Sequence, residues 1–246
     1  MFLLFSLAQA ATISWTGIGT VAADEIAICP DGSAYTLTGS TLRRLSGNAV
    51  SGTLGASTNS MAWNAGHISC GKTGSSVFNT LMTGFPNMVA ASEVYSVAIP
   101  GGVFVGGSSL YSVPSYIGDV KAMSSNEFAA LSADGYGDRG FLQSLSFPVF
   151  GYLPGAREFA ATQSLWNTQE IGFAANYGDE QYAATLWINA GNHLDDADWQ
   201  MLDPNLNNQF VAYWAEDMEA VRTESGGIYL FVLDHLNNVW RGTVTL

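Results

Sequence analysis

Positive charge is scarce in this sequence. Eight Lys and Arg stand against 21 Asp and Glu, for a net charge of −13. Such a balance repels phosphate backbones and anionic lipid surfaces, so no nucleic-acid and no membrane partner is expected. Charged residues of both signs make up only 12% of the chain, about half the usual share of about 25%. That leaves too few Glu, Lys and Arg for long solvent-facing helices. No apolar run approaches the roughly 18 residues of a membrane span. Cysteine is limited to Cys29 and Cys70. Each precedes a turn, at similar places in successive repeats. Such positions are expected to lie beyond the ~7 Å between Cα atoms that a disulfide tolerates, so both are read as small, half-buried thiols.

Glycine, by contrast, is abundant at 27 residues, and Ser, Thr and Asn are frequent. This mixture suits a β protein rich in turns. The stretch Glu25–Leu37 shows the unit. Ile26 and Ile28 alternate with Ala27 and Cys29, Pro30-Asp31-Gly32 supplies a turn, and Tyr35 and Leu37 resume the period of two. The N-terminal run Phe2–Leu7 imitates an export signal but lacks a basic flank. The expected reading is a core strand.

The same shape recurs: an apolar residue close to Ala, a short strand, a Gly turn, an aromatic. Copies begin at 21, 61, 89, 120, 159 and 211. The spacing averages about 40 residues, the size of a four-stranded propeller blade. The expected fold is all-β, a β-propeller of about six blades closed by N- and C-terminal strands. A β-sandwich is the alternative. Residues 1–246 form a single domain on this reading, with 1–20 as the closing strand and 21–246 as repeats. Phe2–Leu7 would pair with the terminal hairpin 228–246. Turns are expected at or near Gly32, Gly74, Gly102, Gly135, Gly178 and Gly227. Phe210, Val211, Trp214, Met218 and Val221 fall at helical spacing, so a helix over 209–221 competes with a strand there; the strand is preferred. Residues 189–209 read as a long loop.

Several patterns invite chemistry. Gly66-His67-Ile68-Ser69-Cys70-Gly71-Lys72-Thr73 matches the phosphate-binding expression G-x-x-x-x-G-K-[ST]. The chemistry requires a helix starting at the Lys. Gly74-Ser75-Ser76-Val77 is a poor helix start, so Lys72 is expected to be silent toward nucleotides. His67, His193 and His235 lie in different repeats without metal-ligand spacing. Asp203-Pro204-Asn205-Leu206-Asn207-Asn208 begins like a calcium loop, but Asn208 replaces the required Gly and Trp214 the terminal Glu. A looser site with Asp195, Asp196 or Asp198 stays open. The acidic runs Asp195–Asp198 and Glu216–Glu219 are read as solvated faces, with a basic partner as the sharper alternative. Glycosidases need two convergent carboxylates, which a sequence does not display. The arginines Arg43, Arg44, Arg139, Arg157, Arg222 and Arg241 do not accompany the Ser-x-Asp-x-Gly-x-x-Trp turns of sialidases. Seven tryptophans read as packing between blades, with Trp199 the foremost candidate for an exposed sugar contact.

The repeated Gly turn plus aromatic, the low charge and the Gly/Ser/Thr/Asn-rich strands resemble propeller modules of bacteriophage virion proteins found in tails, nozzles and fibres. The resemblance spans about 21–246. It implies a non-enzymatic structural or docking component, assembled in the host cytoplasm into a virion. Its partners would be other virion proteins, with a homo-oligomeric ring or assembly and a host-surface glycan as candidates. A carbohydrate- or receptor-binding propeller, lectin-like, is the alternative, with a glycoside hydrolase behind it. No catalytic residue, metal or cofactor is assigned.

Overall fold

The computed structural model describes residues 10–62, 68–70, 72–73, 76–77, 94–99, 102–105, 109–111, 116–124, 127–133, 139–143, 151–154, 156–162, 171–176, 185–189, 199–203, 215–223 and 225–246. Strand β1 (Thr12–Thr20) opens this part of the chain. The first sheet is an antiparallel meander of β2 (Glu25–Ile28), β3 (Ala34–Thr38), β4 (Thr41–Asn48) and β5 (Thr53–Ala62). Next come β6 (Ser69–Cys70) and two two-residue strands, β7 (Lys72–Thr73) and β8 (Ser76–Val77). The second sheet joins β6 to β9 (Val94–Ile99), β10 (Gly102–Val105) and β11 (Ser109–Tyr111). The third is β12 (Tyr116–Ser124), β13 (Glu127–Ala133), β14 (Arg139–Gln143) and β15 (Gly151–Pro154), with β7 and β8 added beside β12. The fourth is β16 (Ala156–Thr162), β17 (Ile171–Asn176), β18 (Leu186–Asn189) and β19 (Trp199–Asp203). The fifth is β20 (Ala215–Arg222), β21 (Ile228–Asp234) and β22 (Asn238–Thr245), completed by β1.

The first strands of the five sheets follow one another around a ring. β2 packs on β6, β6 on β12, β12 on β16, β16 on β20, and β20 on β2. Consecutive antiparallel sheets arranged in this way are a β-propeller. The ring closes where β1 pairs antiparallel with β22, from Thr12 opposite Thr245 to Thr20 opposite Asn238. The strand that closes the ring is Thr12–Thr20; Phe2–Leu7, expected to pair with the terminal hairpin, lies outside the described residues.

The described residues make five sheets, where the repeat spacing suggests about six. The copy at 61 begins in β5, the last strand of the first sheet, and runs on into β6, the first strand of the second; residues 89–90 lie outside the described part. Two further expectations change. The segment 189–209 contains β19, in register with β18 from Asn189–Trp199 to Leu186–Asp203. From Ala215 onward the competing helix is a strand, β20; residues 209–214 lie outside the described part.

Turn chemistry positions the hairpins. Gly32 takes φ 88° between β2 and β3, a conformation that costs glycine nothing. Its N–H donates to the Cys29 carbonyl at 2.8 Å, and the Ser33 N–H donates to Asp31 Oδ1 at 2.8 Å. At the β21–β22 turn Asn237 takes φ 67°. There Asp234 Oδ1 accepts the N–H groups of Leu236 (2.9 Å) and Asn238 (2.8 Å), while Oδ2 accepts the Trp240 indole N–H at 2.9 Å. The turns expected near Gly74, Gly135 and Gly178 lie outside the described residues.

The fifth sheet is buried on both faces. Val221, Phe231, Leu233 and Val239 meet Ile26, Ile28 and Leu45 of the first sheet. Met218, Leu230 and Val232 meet Ile171, Phe173, Leu186 and Ile188 of the fourth. This explains why Ile228–Leu233 reads as an unbroken apolar run rather than an alternating one.

Candidate functional site

Two features stand out where the fifth sheet meets the first. One is a set of carboxylates on the ring of first strands. β20 carries a bulge between Ala215 and Asp217, leaving Asp217 as the residue that resumes the ladder. β12 and β16 bulge likewise, before Asp119 and Glu158. In β2 both Asp24 and Glu25 oppose Leu37: the Asp24 N–H donates to the Leu37 carbonyl, and Glu25 is its register partner. An acidic residue thus occupies the same register position in four of the five first strands. Asp217 is buried, and its Oδ2 accepts the Ile26 N–H across the sheet boundary at 2.6 Å. Glu25 Oε2 does the same one sheet further on, accepting the Ile68 N–H at 3.4 Å. A first strand has no ladder partner on its inner side, so its outward N–H groups need such acceptors. Among the described residues no group of three or more His, Cys, Asp or Glu could hold a metal ion. The Asp217 and Glu25 carboxylates tie neighbouring first strands together.

That overturns the reading of Glu216–Glu219 as a solvated face. Glu216 is exposed, but Asp217 and Glu219 are buried. A strand places alternate residues on one face, and here that face packs against the first sheet.

Cys29 also differs from expectation. It is disulfide-bonded, and the chain has one other cysteine, Cys70. The expectation of excessive distance holds for outer parts of adjacent blades. First strands converge around the ring, and β2 runs beside β6.

The second feature is a groove of about 610 Å³ between the chain leaving β1 and the outer half of the first sheet. Cavities of this size are common for small ligands. Val21, Leu45 and Leu54 give it an apolar floor, continuous with the core between the two sheets. Thr20, Thr36, Thr38 and Ser57 supply hydroxyls. Thr38 Oγ1 donates to the Ala22 carbonyl at 3.0 Å and ties the two walls together. The charged lining residue is Arg43.

The period of two in β4 separates adjacent arginines. Arg44 lies opposite Tyr35, with its guanidinium 5.8 Å from the ring centroid and Nη2 donating to Ser33 Oγ at 3.2 Å. Arg43 lies opposite Thr36 and Ser60 and turns to the groove. Among the described residues Arg43 has no hydrogen-bond or ion-pair partner. Sequence reasoning did not single it out. The usable signal is the Arg-Arg pair inside an alternating strand, which must send one cation to each face.

The residues singled out from sequence do not converge. Lys72 opens the two-residue strand β7, where a phosphate loop needs a helix. His235 sits half-buried in the β21–β22 turn; His67 and His193 lie outside the described residues. Asp203 ends β19 and is buried, and Asp195, Asp196, Asp198 and 204–208 lie outside the described part. Trp199 is half-buried with its indole N–H enclosed. Trp15 and Trp240 pack against the core instead.

Fold and groove together define a β-propeller with a cleft of hydroxyls over an apolar floor near its point of closure. No family model matches the chain, and no curated protein matches it. Among solved structures it is similar to β-propeller proteins at low identity. The fucose-specific lectin from Aleuria aurantia has a TM-score of 0.45 and 11% identity, covering 95% of this chain and 91% of that one. The N-terminal domain of Nup159 has a TM-score of 0.36 and 8% identity, covering 96% of each. Hydrazine synthase from Kuenenia stuttgartiensis has a TM-score of 0.45 and 10% identity over 88% of this chain, which spans 57% of the length of that one.

Proposed function

We propose that the chain is a non-enzymatic binding propeller that takes a carbohydrate in the groove between its closing sheet and its first sheet. The observation that carries this is the lining itself: hydroxyls and one guanidinium over an apolar floor. Sugars present the matching surface, with hydroxyls at the ring edge and C–H groups on its faces. The groove sits on two sheets fixed by a shared core and by the Asp217–Ile26 hydrogen bond, so its walls are preformed. The disulfide at Cys29 favours an oxidising compartment such as the cell exterior over the cytoplasm. The purified chain should bind a subset of glycans on an array. Ser57→Trp, which fills the rim, should remove that binding without changing Tm. Failure to bind any glycan at millimolar concentration would sink the reading.

One observation favours the assembly role as a second reading. β5 is the outer strand of its sheet, ten residues long, with Gly55–Ser60 exposed and no charge along it. Such an edge can pair with a strand of a neighbouring chain, as a virion component in a ring would need. A monomer by light scattering at micromolar concentration would remove that reading.

A further inference from the structure

We propose that the groove is specific for an acidic sugar, a uronic or sialic acid, whose carboxylate docks on Arg43; this rests on the carbohydrate reading above. Arg43 is the charged group of the lining and is half-buried, without a protein acceptor among the described residues. Arg44 and Arg241 show the contrast, since each is engaged, Arg44 on Tyr35 and Ser33 and Arg241 on the Val50 carbonyl at 2.5 Å and the Tyr229 ring. A partly desolvated cation left without a partner is unfavourable, and an anionic ligand relieves that cost. The guanidinium fork matches the two oxygens of a carboxylate in plane. A single cation balances a single negative charge. Phosphate sites add helix N-termini or several cations, and this lining has neither. Thr38 and Ser57 line the same groove as Arg43 and are placed to meet the hydroxyls of the same sugar ring. The net charge of −13 acts at long range and is screened beyond about 8 Å in physiological salt, so the contact is decided by the groove.

The test is calorimetric, on the full chain. The probe pairs are 3′-sialyllactose against lactose and tetragalacturonate against cellotetraose. The acidic member of at least one pair should bind at least ten-fold tighter than its neutral counterpart, and which pair responds tells sialic from uronic acid. Arg43→Gln should erase that difference and Arg43→Lys should restore part of it, with Tm unchanged in both because Arg43 holds nothing else in place. Equal binding of acidic and neutral members, or an Arg43→Gln variant that keeps the preference, would overturn the acidic-sugar inference and leave the carbohydrate reading standing. If no member of either pair binds, and none is found on the array, both fall together.

Discussion

Asp217→Ala removes one carboxylate and strands two backbone donors. The side chain accepts the Ile26 N–H at 2.6 Å and the Met218 N–H at 2.7 Å, and Ile26 and Met218 are 1% and 0% exposed. Water does not reach these donors without opening the boundary between the fifth and first sheets. A buried donor left unsatisfied costs about 1–3 kcal/mol, so the pair costs at least about 2 kcal/mol. For a chain of this size each kcal/mol lowers Tm by about 2–4 °C. Asp217→Ala should therefore melt at least about 4 °C below the parent by calorimetry or circular dichroism. Asp217→Asn should fall between the two, because its amide keeps one acceptor but turns a donor toward the other N–H. Glu216→Ala, on the exposed neighbour, is the control and should stay within about 0.5 kcal/mol. If Asp217→Ala melts within a degree of the Glu216→Ala protein, the carboxylate does not hold the ring, and the reasoning about first-strand acceptors is wrong.

Cys29→Ser opens a covalent loop of about 40 residues, which chain-entropy reasoning values at about 4 kcal/mol. Tm should drop by roughly 8–16 °C, matched by the parent under strong reductant, whereas an unchanged Tm in both would deny the disulfide a stabilising role. Gly242→Ala should loosen the closing strand. A Cβ there would overlap Ile13 Cδ1 and stand 2.8 Å from Trp15 Cζ3, an overpacking worth about 1–3 kcal/mol. Protease sensitivity of β1 should rise with the fall in Tm; a variant as resistant as the parent would contradict the close approach.

Local chemistry was legible in the residues, and long-range pairing was not. Gly32 and Asn237 stand at turns with positive φ because Pro-Asp-Gly and Asn-Asn carry their own geometry. The strand at Ala215–Arg222 followed from its likeness to other copies, despite helical spacing. The sheet boundaries did not follow, because a Gly turn with an aromatic marks any hairpin, and the copy at 61 begins in the last strand of one sheet rather than the first strand of the next. Asp217 and Glu219 looked like surface because an acidic run usually is. Nothing near them in sequence shows that the Asp217 carboxylate is the acceptor for the Ile26 N–H, 191 residues earlier. Cys29 was misread for the same reason. Arg43 was visible only as half of an Arg-Arg pair, and its lack of a partner is a property of the folded groove.

The pairing of β1 with β22 sets an order of events. The first, second, third and fourth sheets are built mostly from consecutive hairpins and can form as the chain lengthens. Thr12–Thr20 belongs to the fifth, whose other strands arrive more than 200 residues later. Bringing such distant segments together costs on the order of 5 kcal/mol in loop entropy if nothing shortens the loop. Sheets already stacked shorten it, so ring closure becomes the last and slowest step. Until then an emerging chain carries a nine-residue strand with Ile13, Trp15 and Ile18 uncovered. A cell making this protein must shield that strand until β20–β22 have been made, or lose the chain to pairing with its neighbours.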